Sequence, residues 1–233
     1  MEAGGAGDQD GGTDRVGGVG KVDRVDRVDR EAFLAEALLV VDIQRASAAG
    51  PGAVPGAAVL LERTAELIGR ARRSGALVIH VQNDGAPGAG DEPHAPGWEL
   101  YHPVVDGPLE FVVRKRRADA FDGTPLGGLL TGAGVRALAV CGMMSDICVQ
   151  ATARTALERG YGVVLPYDAH ATQDIPAAPG ISDTVPAATV SRAAAWALGQ
   201  RADITTHSAD VIFAAPGGRT GQDKAGPFTL SQA

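Results

Sequence analysis

The fold of this chain is constrained most by a repeated alternation between short apolar runs and amphipathic helical stretches. Continuous apolar runs are typical of strands that are buried on both faces, and they occur at residues 37–42 (ALLVVD), 76–82 (ALVIHVQ), 111–115 (FVVRK), 137–142 (ALAVCG), 162–169 (GVVLPYDA) and 202–206. Helical patterns lie between them, at residues 56–74, 126–132, 146–160 and 185–198. Strands that alternate with helices form a parallel sheet. We therefore predict an α/β fold: a doubly wound, Rossmann-like parallel sheet with helices on both faces, in a single domain.

The two ends of the chain differ in composition from this alternating region. Residues 1–33 are rich in Gly, Asp and Arg and contain a tandem VDR repeat, and residues 217–233 are polar and Gly-rich. Such segments bury too little apolar surface to offset the entropy lost on ordering. We predict a flexible N-terminal tail at 1–33, one folded domain at 34–216 and a C-terminal tail at 217–233. The alternative for the repeat is a short helix against a partner subunit.

Composition excludes several classes of protein. The net charge of −7 over 233 residues argues against a nucleic-acid surface, which needs clustered basic residues. No apolar run approaches the ~20 residues that span a membrane, and the N-terminus lacks the apolar centre of a signal peptide. The two cysteines, Cys141 and Cys148, do not make a disulfide framework. We therefore expect a reduced, cytoplasmic protein.

Three reactive side chains follow predicted strands. Asp42 ends the first apolar run, Lys115 ends the third, and the fourth leads into the turn before Cys148. Ligands of open α/β sheets bind beyond the carboxyl ends of the strands, where these groups would meet. Taken singly, each has an ordinary explanation: a turn aspartate, a solvated lysine in RKRR, and a small buried thiol. Their combination at one edge favours a functional site.

Cys148 is suited to nucleophilic catalysis by its expected position. Ser145 is a candidate helix N-cap, which would put Cys148 in the first helical turn, where unpaired N–H groups and the helix dipole favour the thiolate. Lys115 would add to this effect. Asp42 would take the thiol proton and later pass a proton to a leaving amine. These residue types predict a cysteine hydrolase.

Three blocks of sequence resemble the isochorismatase-like cysteine hydrolase superfamily. They are VVDIQ, VRKRRADAFDGT and CGMMSDICVQATARTALERGYGVVLPYDAHAT, and the resemblance covers about residues 35–216. It implies Cys148 as nucleophile, Asp42 as general base and acid, and Lys115 as the charge that holds both.

The same resemblance implies a non-proline cis peptide bond in the turn before the cysteine, between Met143 and Met144. The N–H groups of Met144 and Cys148 would then form the oxyanion hole.

Neither a metal nor a cofactor is expected. Nicotinamidases of this superfamily typically carry an Asp-x-His pair and a further histidine after the second strand. This chain has His94 and His102 in that region without the Asp-x-His spacing, and His80 lies inside a strand as a predicted core histidine. Nucleotide and flavin binding lack support, because the chain has no G-x-G-x-x-G after the first strand and no Walker loop.

Shorter stretches point to a substrate class. QNDG, PGWEL, LPYDAHAT and GISDTVPAATVSRAAAWALG resemble the streptothricin hydrolases, a group within the superfamily that opens the cyclic amide of cationic streptothricin antibiotics. Several acidic residues lie in the predicted loops: Asp84, Asp91, Glu92, Glu99, Asp146 and Asp168. They would form an acidic site suited to a cationic substrate, or they are ordinary charges of surface loops. Candidate substrate-binding residues at the same edge of the sheet are Gln44, Asn83, Asp84, Trp98, Tyr167 and His170.

Two other functions stay open from the sequence. One is hydrolysis of another small amide or carbamoyl compound, with a nicotinamidase-type activity less favoured. The other is a non-catalytic small-molecule binding module of the same fold, in which Cys148 would be buried and inert. The resemblance also implies a homo-oligomer, either a dimer or a tetramer, without nucleic-acid or membrane partners.

Overall fold

The computed structural model describes Met1 and residues 34–217. The predicted tails at 1–33 and 217–233 therefore lie outside the described residues, apart from Met1 and Gly217.

The apolar runs form a parallel sheet, as predicted. The strands are β1 Leu34–Ala35, β2 Ala37–Val41, β3 Leu77–Asn83, β4 Glu110–Lys115, β5 Ala137–Met143, β6 Gly162–Pro166, β7 His170–Ala171, β8 Asp203–Thr205 and β9 Ile212–Phe213. They run side by side in the order β4-β3-β2-β5-β6-β8, with β7 beside β5, and β1 pairs with β9 in a separate two-stranded sheet. The predicted α/β fold is confirmed. The short strands β1, β7 and β9 were not predicted, because two residues are too few to show a pattern.

Helices cover both faces of the sheet. Their bounds are α1 Arg45–Ala48, α2 Ala57–Ser74, α3 Leu126–Gly132, α4 Gln150–Glu158 and α5 Ala187–Trp196. Helix α2 buries Leu60, Leu67, Ile68 and Ala71, whose helical spacing puts them on one face. It ends at Gly75, where a φ of 73° forms a left-handed cap that glycine adopts without steric cost.

Strand β2 contributes to two separate cores. Leu39 and Val41 pack into the core on one face of the sheet, while Leu38 and Val40 pack into the core on the other. Successive strand residues point to opposite faces, so a fully apolar run is what a strand between two helical layers requires.

The strand order predicts a binding site at the carboxyl ends of the two central strands, β2 and β5. The chain moves outward from β2 through β3 to β4, then returns to the other side of β2 with β5. At such a reversal the connections leave in opposite directions and open a crevice beyond the carboxyl ends of the strands. Asp42 follows β2 directly, and Cys148 lies five residues after the end of β5.

Gly142 is required where β5 pairs with β2. Its φ is 122°, and an added Cβ would lie 2.0 Å from the carbonyl oxygen of Val41. We expect Gly142→Ala to lower the free energy of unfolding by more than about 3 kcal/mol, measured by urea denaturation. Gly128→Ala in α3 is the matched control, because its Cβ would meet nothing within 4 Å. That variant should be stabilised by about 0.5–1 kcal/mol. Equal unfolding midpoints for the two variants would contradict the close approach.

Candidate active site

The three reactive groups predicted at the strand ends meet in one cluster. Lys115 Nζ lies 2.7 Å from Asp42 Oδ2. The same ammonium donates to Cys148 Sγ at 3.3 Å and to Asn83 Oδ1 at 3.2 Å. Lys115 is only 2% exposed although it belongs to an RKRR run, so its charge serves the cluster and not the solvated surface.

The backbone turns sharply at Asp42 and so directs its carboxylate into the crevice. Asp42 has a φ of 51°, a left-handed conformation that aspartate and asparagine tolerate better than most residues. Its N–H donates to the Val81 carbonyl at 2.9 Å, and its carbonyl accepts the Gln44 N–H at 2.8 Å. Within the described chain, the buried Oδ1 of Asp42 has no hydrogen-bond partner. This oxygen is therefore available to accept a proton.

Burial and neighbouring charges together set the ionisation of the cluster. Burial raises the pKa of the Asp42 carboxyl above its usual value, against the opposing effect of Lys115. Burial also acts to lower the pKa of Lys115, but the negative partners Asp42 and Cys148 together raise it. Lys115 therefore stays charged.

Burial disfavours the charged form of the Cys148 thiol. Burial, followed by the charge of Asp42, raises the pKa of Cys148 to about 12, although Lys115 acts in the opposite direction. Lys115 favours the thiolate, as predicted, but desolvation opposes and outweighs its effect. The proton must leave the thiol during the reaction, which makes the adjacent carboxylate necessary.

The segment that carries Cys148 is a π-helical turn, Ser145–Val149, which precedes α4. The predicted N-cap role of Ser145 is wrong: its Oγ lies 2.8 Å from His170 Nδ1 and 3.0 Å from Ser191 Oγ. The peptide bond between Met143 and Met144 is cis. Sequence periodicity could not distinguish this turn from the start of an α-helix.

A cavity of about 170 Å³ opens onto the cluster. Two predicted substrate-binding residues, Gln44 and Asn83, line it, and so do Ser47 and Asp91. The complete lining is Asp42, Gln44, Ser47, Asn83, Asp91, Met143, Met144 and Cys148. Sequence reasoning missed Ser47, for which the only signal is its position in the short helix that follows β2.

Gln44 is a fixed part of the cavity wall. It is 2% exposed, and its Nε2 donates to the carbonyl oxygens of Asn83 at 3.0 Å and Trp98 at 2.9 Å. Its Oε1 accepts the Asn83 N–H at 2.8 Å. Gln44 therefore ties the loop after β3 to the turn after β2.

The other four predicted substrate-binding residues do not line this cavity. Asp84 accepts hydrogen bonds from Trp98 Nε1 at 3.0 Å and from Arg114 at 2.8 Å. Tyr167 donates to a backbone carbonyl of the segment that starts α5 and packs edge-on against His170, which is 6% exposed. Each of the four contacts another protein group, although the buried Nε2 of His170 has no hydrogen-bond partner among the described residues.

No metal-binding cluster of three His, Cys, Asp or Glu residues is found in the part of the chain that the structure describes. His80 is a core histidine, as predicted: it is 1% exposed, and its Nε2 lies 2.9 Å from Glu110 Oε1. Among the described residues, no helix combines the length and apolar character needed to cross a membrane.

The raised pKa of Cys148 predicts a distinctive pH dependence of alkylation. Because the protonated form persists to high pH, iodoacetamide should react slowly near pH 7, and the rate should rise about tenfold per pH unit to about pH 10 without a plateau. Cys148→Ser supplies the background from Cys141, which is fully buried. A plateau near pH 8 would mean an ordinary or lowered pKa.

Comparison with known proteins identifies the family. A sequence profile described as the Isochorismatase domain matches residues 36–178, more than half of the chain. The chain belongs to the isochorismatase family. The resemblance of its three sequence blocks is thereby confirmed, and the chain is a hydrolase. The alternative of a non-catalytic binding module is set aside.

Relatives in this family include both curated and solved proteins. A streptothricin hydrolase of Streptomyces noursei is 64% identical over 180 residues, which cover 77% of this chain and 71% of that protein. An isochorismatase structure from Pseudomonas putida aligns with a TM-score of 0.70 and 31% identity, covering 79% of this chain and 94% of that chain. An N-carbamoylsarcosine amidase structure from Thermoplasma acidophilum aligns with a TM-score of 0.62 and 25% identity, covering 75% and 97%.

Proposed function

We propose that this isochorismatase-family hydrolase opens the cyclic amide of streptothricin antibiotics, and so inactivates them, by nucleophilic attack of Cys148 and an acyl-enzyme. The observation that carries the proposal is the contact of Cys148 Sγ with Lys115 Nζ at 3.3 Å, next to a carboxylate with one free oxygen. The 64% identity to a streptothricin hydrolase supports the choice of substrate.

The first half of the reaction forms the acyl-enzyme. As Sγ attacks the carbonyl carbon of the amide, Asp42 accepts the thiol proton. The C–N bond then breaks, and protonated Asp42 gives this proton to the departing nitrogen. Because the amide is cyclic, the freed amine stays attached to the acyl group. Lys115 keeps its charge throughout and stabilises the anionic forms of both partners.

The second half regenerates the enzyme with one water. Asp42 takes a proton from the water as its oxygen attacks the thioester carbonyl. The C–S bond breaks, and the proton on Asp42 returns to the Cys148 sulfur. The raised pKa of Asp42 suits this role, because general acids and bases work best when their pKa approaches the working pH.

The oxyanion of each tetrahedral intermediate would be held at the turn after β5. Met143, Met144 and Cys148 all line the cavity, and the N–H groups of Met144 and Cys148 are the proposed donors. Gln44 and Asn83, which line the same cavity, are the proposed substrate contacts. Asp84, Trp98, Tyr167 and His170 do not enter this part of the proposal, because they do not line the cavity.

The direct test is mass spectrometry of streptothricin incubated with the purified protein. Opening a ring adds one water without releasing a fragment, so the expected product is a single species heavier by one water. Fragment masses must then place that water in the cyclic amide. An unchanged antibiotic would overturn the substrate and leave the family assignment in place.

A second candidate is hydrolysis of a small linear amide or carbamoyl compound. The similarity to an N-carbamoylsarcosine amidase structure favours it, as does the small volume of the cavity. A linear amide would release an acid and an amine, and an N-carbamoyl compound would release an amine, ammonia and carbon dioxide. The same mass measurement on a panel of such compounds therefore separates the two activities.

The setting of the enzyme is also part of the proposal. We propose a cytoplasmic homo-oligomer whose folded domain spans 34–216. Both cysteines are free, which fits a reducing compartment. Ile181 is 85% exposed and Trp196 is 74% exposed, and large apolar side chains on a surface are suited to contact a second subunit.

A further inference from the structure

We propose that Asp91 selects positively charged substrates, by binding an ammonium or guanidinium group next to the scissile amide. This inference rests on the proposed function, because it concerns the substrate of the same cavity. It assigns a specificity role to one residue of the loop after β3.

Asp91 is placed to contact a substrate. It lines the same cavity as Cys148 and Asp42 and is partly exposed there. Asn83 Nδ2 donates to Asp91 Oδ2 at 2.7 Å, and the Asp91 carbonyl accepts the Gly85 N–H at 2.9 Å. These contacts hold the carboxylate in place, and its Oδ1, which packs against Gly85, accepts no hydrogen bond from the described residues.

The charge of Asp91 is the uncompensated one in the cavity wall. Asp42 is paired with Lys115, and the neighbouring Asp84 is paired with Arg114 at 2.8 Å. Asp91 forms no ion pair with any Lys, Arg or His in residues 34–217. Its charge nevertheless reaches the catalytic cluster, where it raises the pKa of Asp42. A cationic substrate group would supply the missing counter-charge.

The size of the cavity explains why a second contact point is needed. A volume of about 170 Å³ lies below the ~300–1,000 Å³ of typical ligand sites, so it holds the reacting group and little more. A second cavity of about 520 Å³ is lined by Gly85 and Glu92, which belong to the same loop as Asp91, and by Arg116. The rest of a larger substrate would extend out of the small cavity, where Asp91 in the cavity wall is placed to contact it.

The competing explanation for Asp91 is a positioning role. Its bond to Asn83 would orient that amide, whose Oδ1 accepts from Lys115. Loss of orientation would slow attack on every substrate equally. Loss of a cation site would slow only cationic ones.

Charged thiol reagents separate these explanations without any knowledge of the substrate. The probes are methanethiosulfonates that carry a trimethylammonium or a sulfonate group, and each rate at Cys148 is divided by the rate of the same reagent with a small free thiol. We expect wild type to favour the cationic reagent at Cys148, and Asp91→Asn to lower the ratio of the two rates about fivefold or more. The ratio cancels any change in the thiolate fraction. Cys148→Ser gives the background, since Cys141 is fully buried.

Two variants complete the design. Asp91→Glu keeps the charge and should retain most of the ratio. Asp106→Asn makes the same change of charge in the exposed loop before β4, at the opposite edge of the sheet, and should leave the ratio unchanged. A ratio that Asp91→Asn does not alter, with both rates lowered equally, would overturn the inference in favour of positioning.

Kinetics on streptothricin then distinguish failure of this inference from failure of the proposed function. If wild type hydrolyses streptothricin, Asp91→Asn should raise KM about tenfold with a smaller change in kcat. Hydrolysis with an unchanged KM overturns the role of Asp91 and keeps the function. No hydrolysis by wild type, together with a reagent ratio that depends on Asp91, overturns the substrate and keeps the cation site.

Discussion

Replacing Cys148 by alanine should lower turnover by at least ~10⁴-fold and leave the fold intact, because the substitution removes the atom that forms the acyl-enzyme. The cost in stability should stay below about 1.5 kcal/mol. Lys115 keeps Asp42 and Asn83 as partners, so no buried charge is left unpaired. Turnover is measured as water added to streptothricin, or to any amide that wild type accepts, and the fold by circular dichroism and urea denaturation.

Cys141→Ala is the matched control for this result. Cys141 is the other thiol of the chain and is fully buried in the core on one face of the sheet. Its removal should leave a small cavity and lower stability by about 1–2 kcal/mol, with turnover close to wild type. Intact-protein mass spectrometry adds an independent readout, since a covalent adduct should form on wild type and on Cys141→Ala only. Turnover by Cys148→Ala within tenfold of wild type would exclude Cys148 as the nucleophile.

Asp42→Asn should lower turnover by about 10²–10⁴-fold and increase the reactivity of Cys148 at the same time. Asparagine tolerates the left-handed backbone of this position, so the turn should persist. Without the carboxylate, Lys115 has lost its anionic partner and instead favours the thiolate of Cys148. The pKa of Cys148 should therefore fall, and its alkylation at pH 7.5 should become faster than in wild type.

This pair of opposite changes tests the proton-transfer role directly. A variant that merely distorted the site would lose turnover and reactivity together. The breaking of a buried ion pair should also lower the free energy of unfolding by about 3–5 kcal/mol, so measurements belong at low temperature. Asp106→Asn, an exposed aspartate before β4, is the control for the change of charge. Full turnover by Asp42→Asn would contradict the general-base role.

The order of strands and helices could be predicted closely, because strands that are buried on both faces appear in the sequence as continuous apolar runs. The strand predicted at 137–142 is observed at Ala137–Met143, and the helix predicted at 56–74 is observed at Ala57–Ser74. A strand between two helical layers must be apolar throughout, and a helix against a sheet must repeat every three or four residues. Both patterns are local, so they can be recognised in the sequence without knowledge of the tertiary contacts.

The position of the three reactive groups was also accessible from the sequence. Asp42, Lys115 and Cys148 follow strands that turned out to be parallel, so their side chains reach the same edge of the sheet. The carboxyl ends of parallel strands lie on the same side of the sheet, so residues that follow different strands in the sequence are close together in the structure. The predicted cluster therefore followed from the order of elements, before any contact was known.

The tertiary structure alone decided the protonation of the site and the walls of its cavity. Burial sets the pKa of Cys148 at about 12, whereas reasoning from the helix end predicted the opposite direction. Desolvation depends on all atoms packed around a group, which no local pattern encodes. The positions of two further side chains were also not predictable from local patterns: Asp91 lines the cavity, and His170 is buried against Ser145. The loop after β3 determines the position of Asp91, and the packing of the short strand β7 determines that of His170. The parallel sheet and the strand ends that carry the reactive groups were already determined by the sequence.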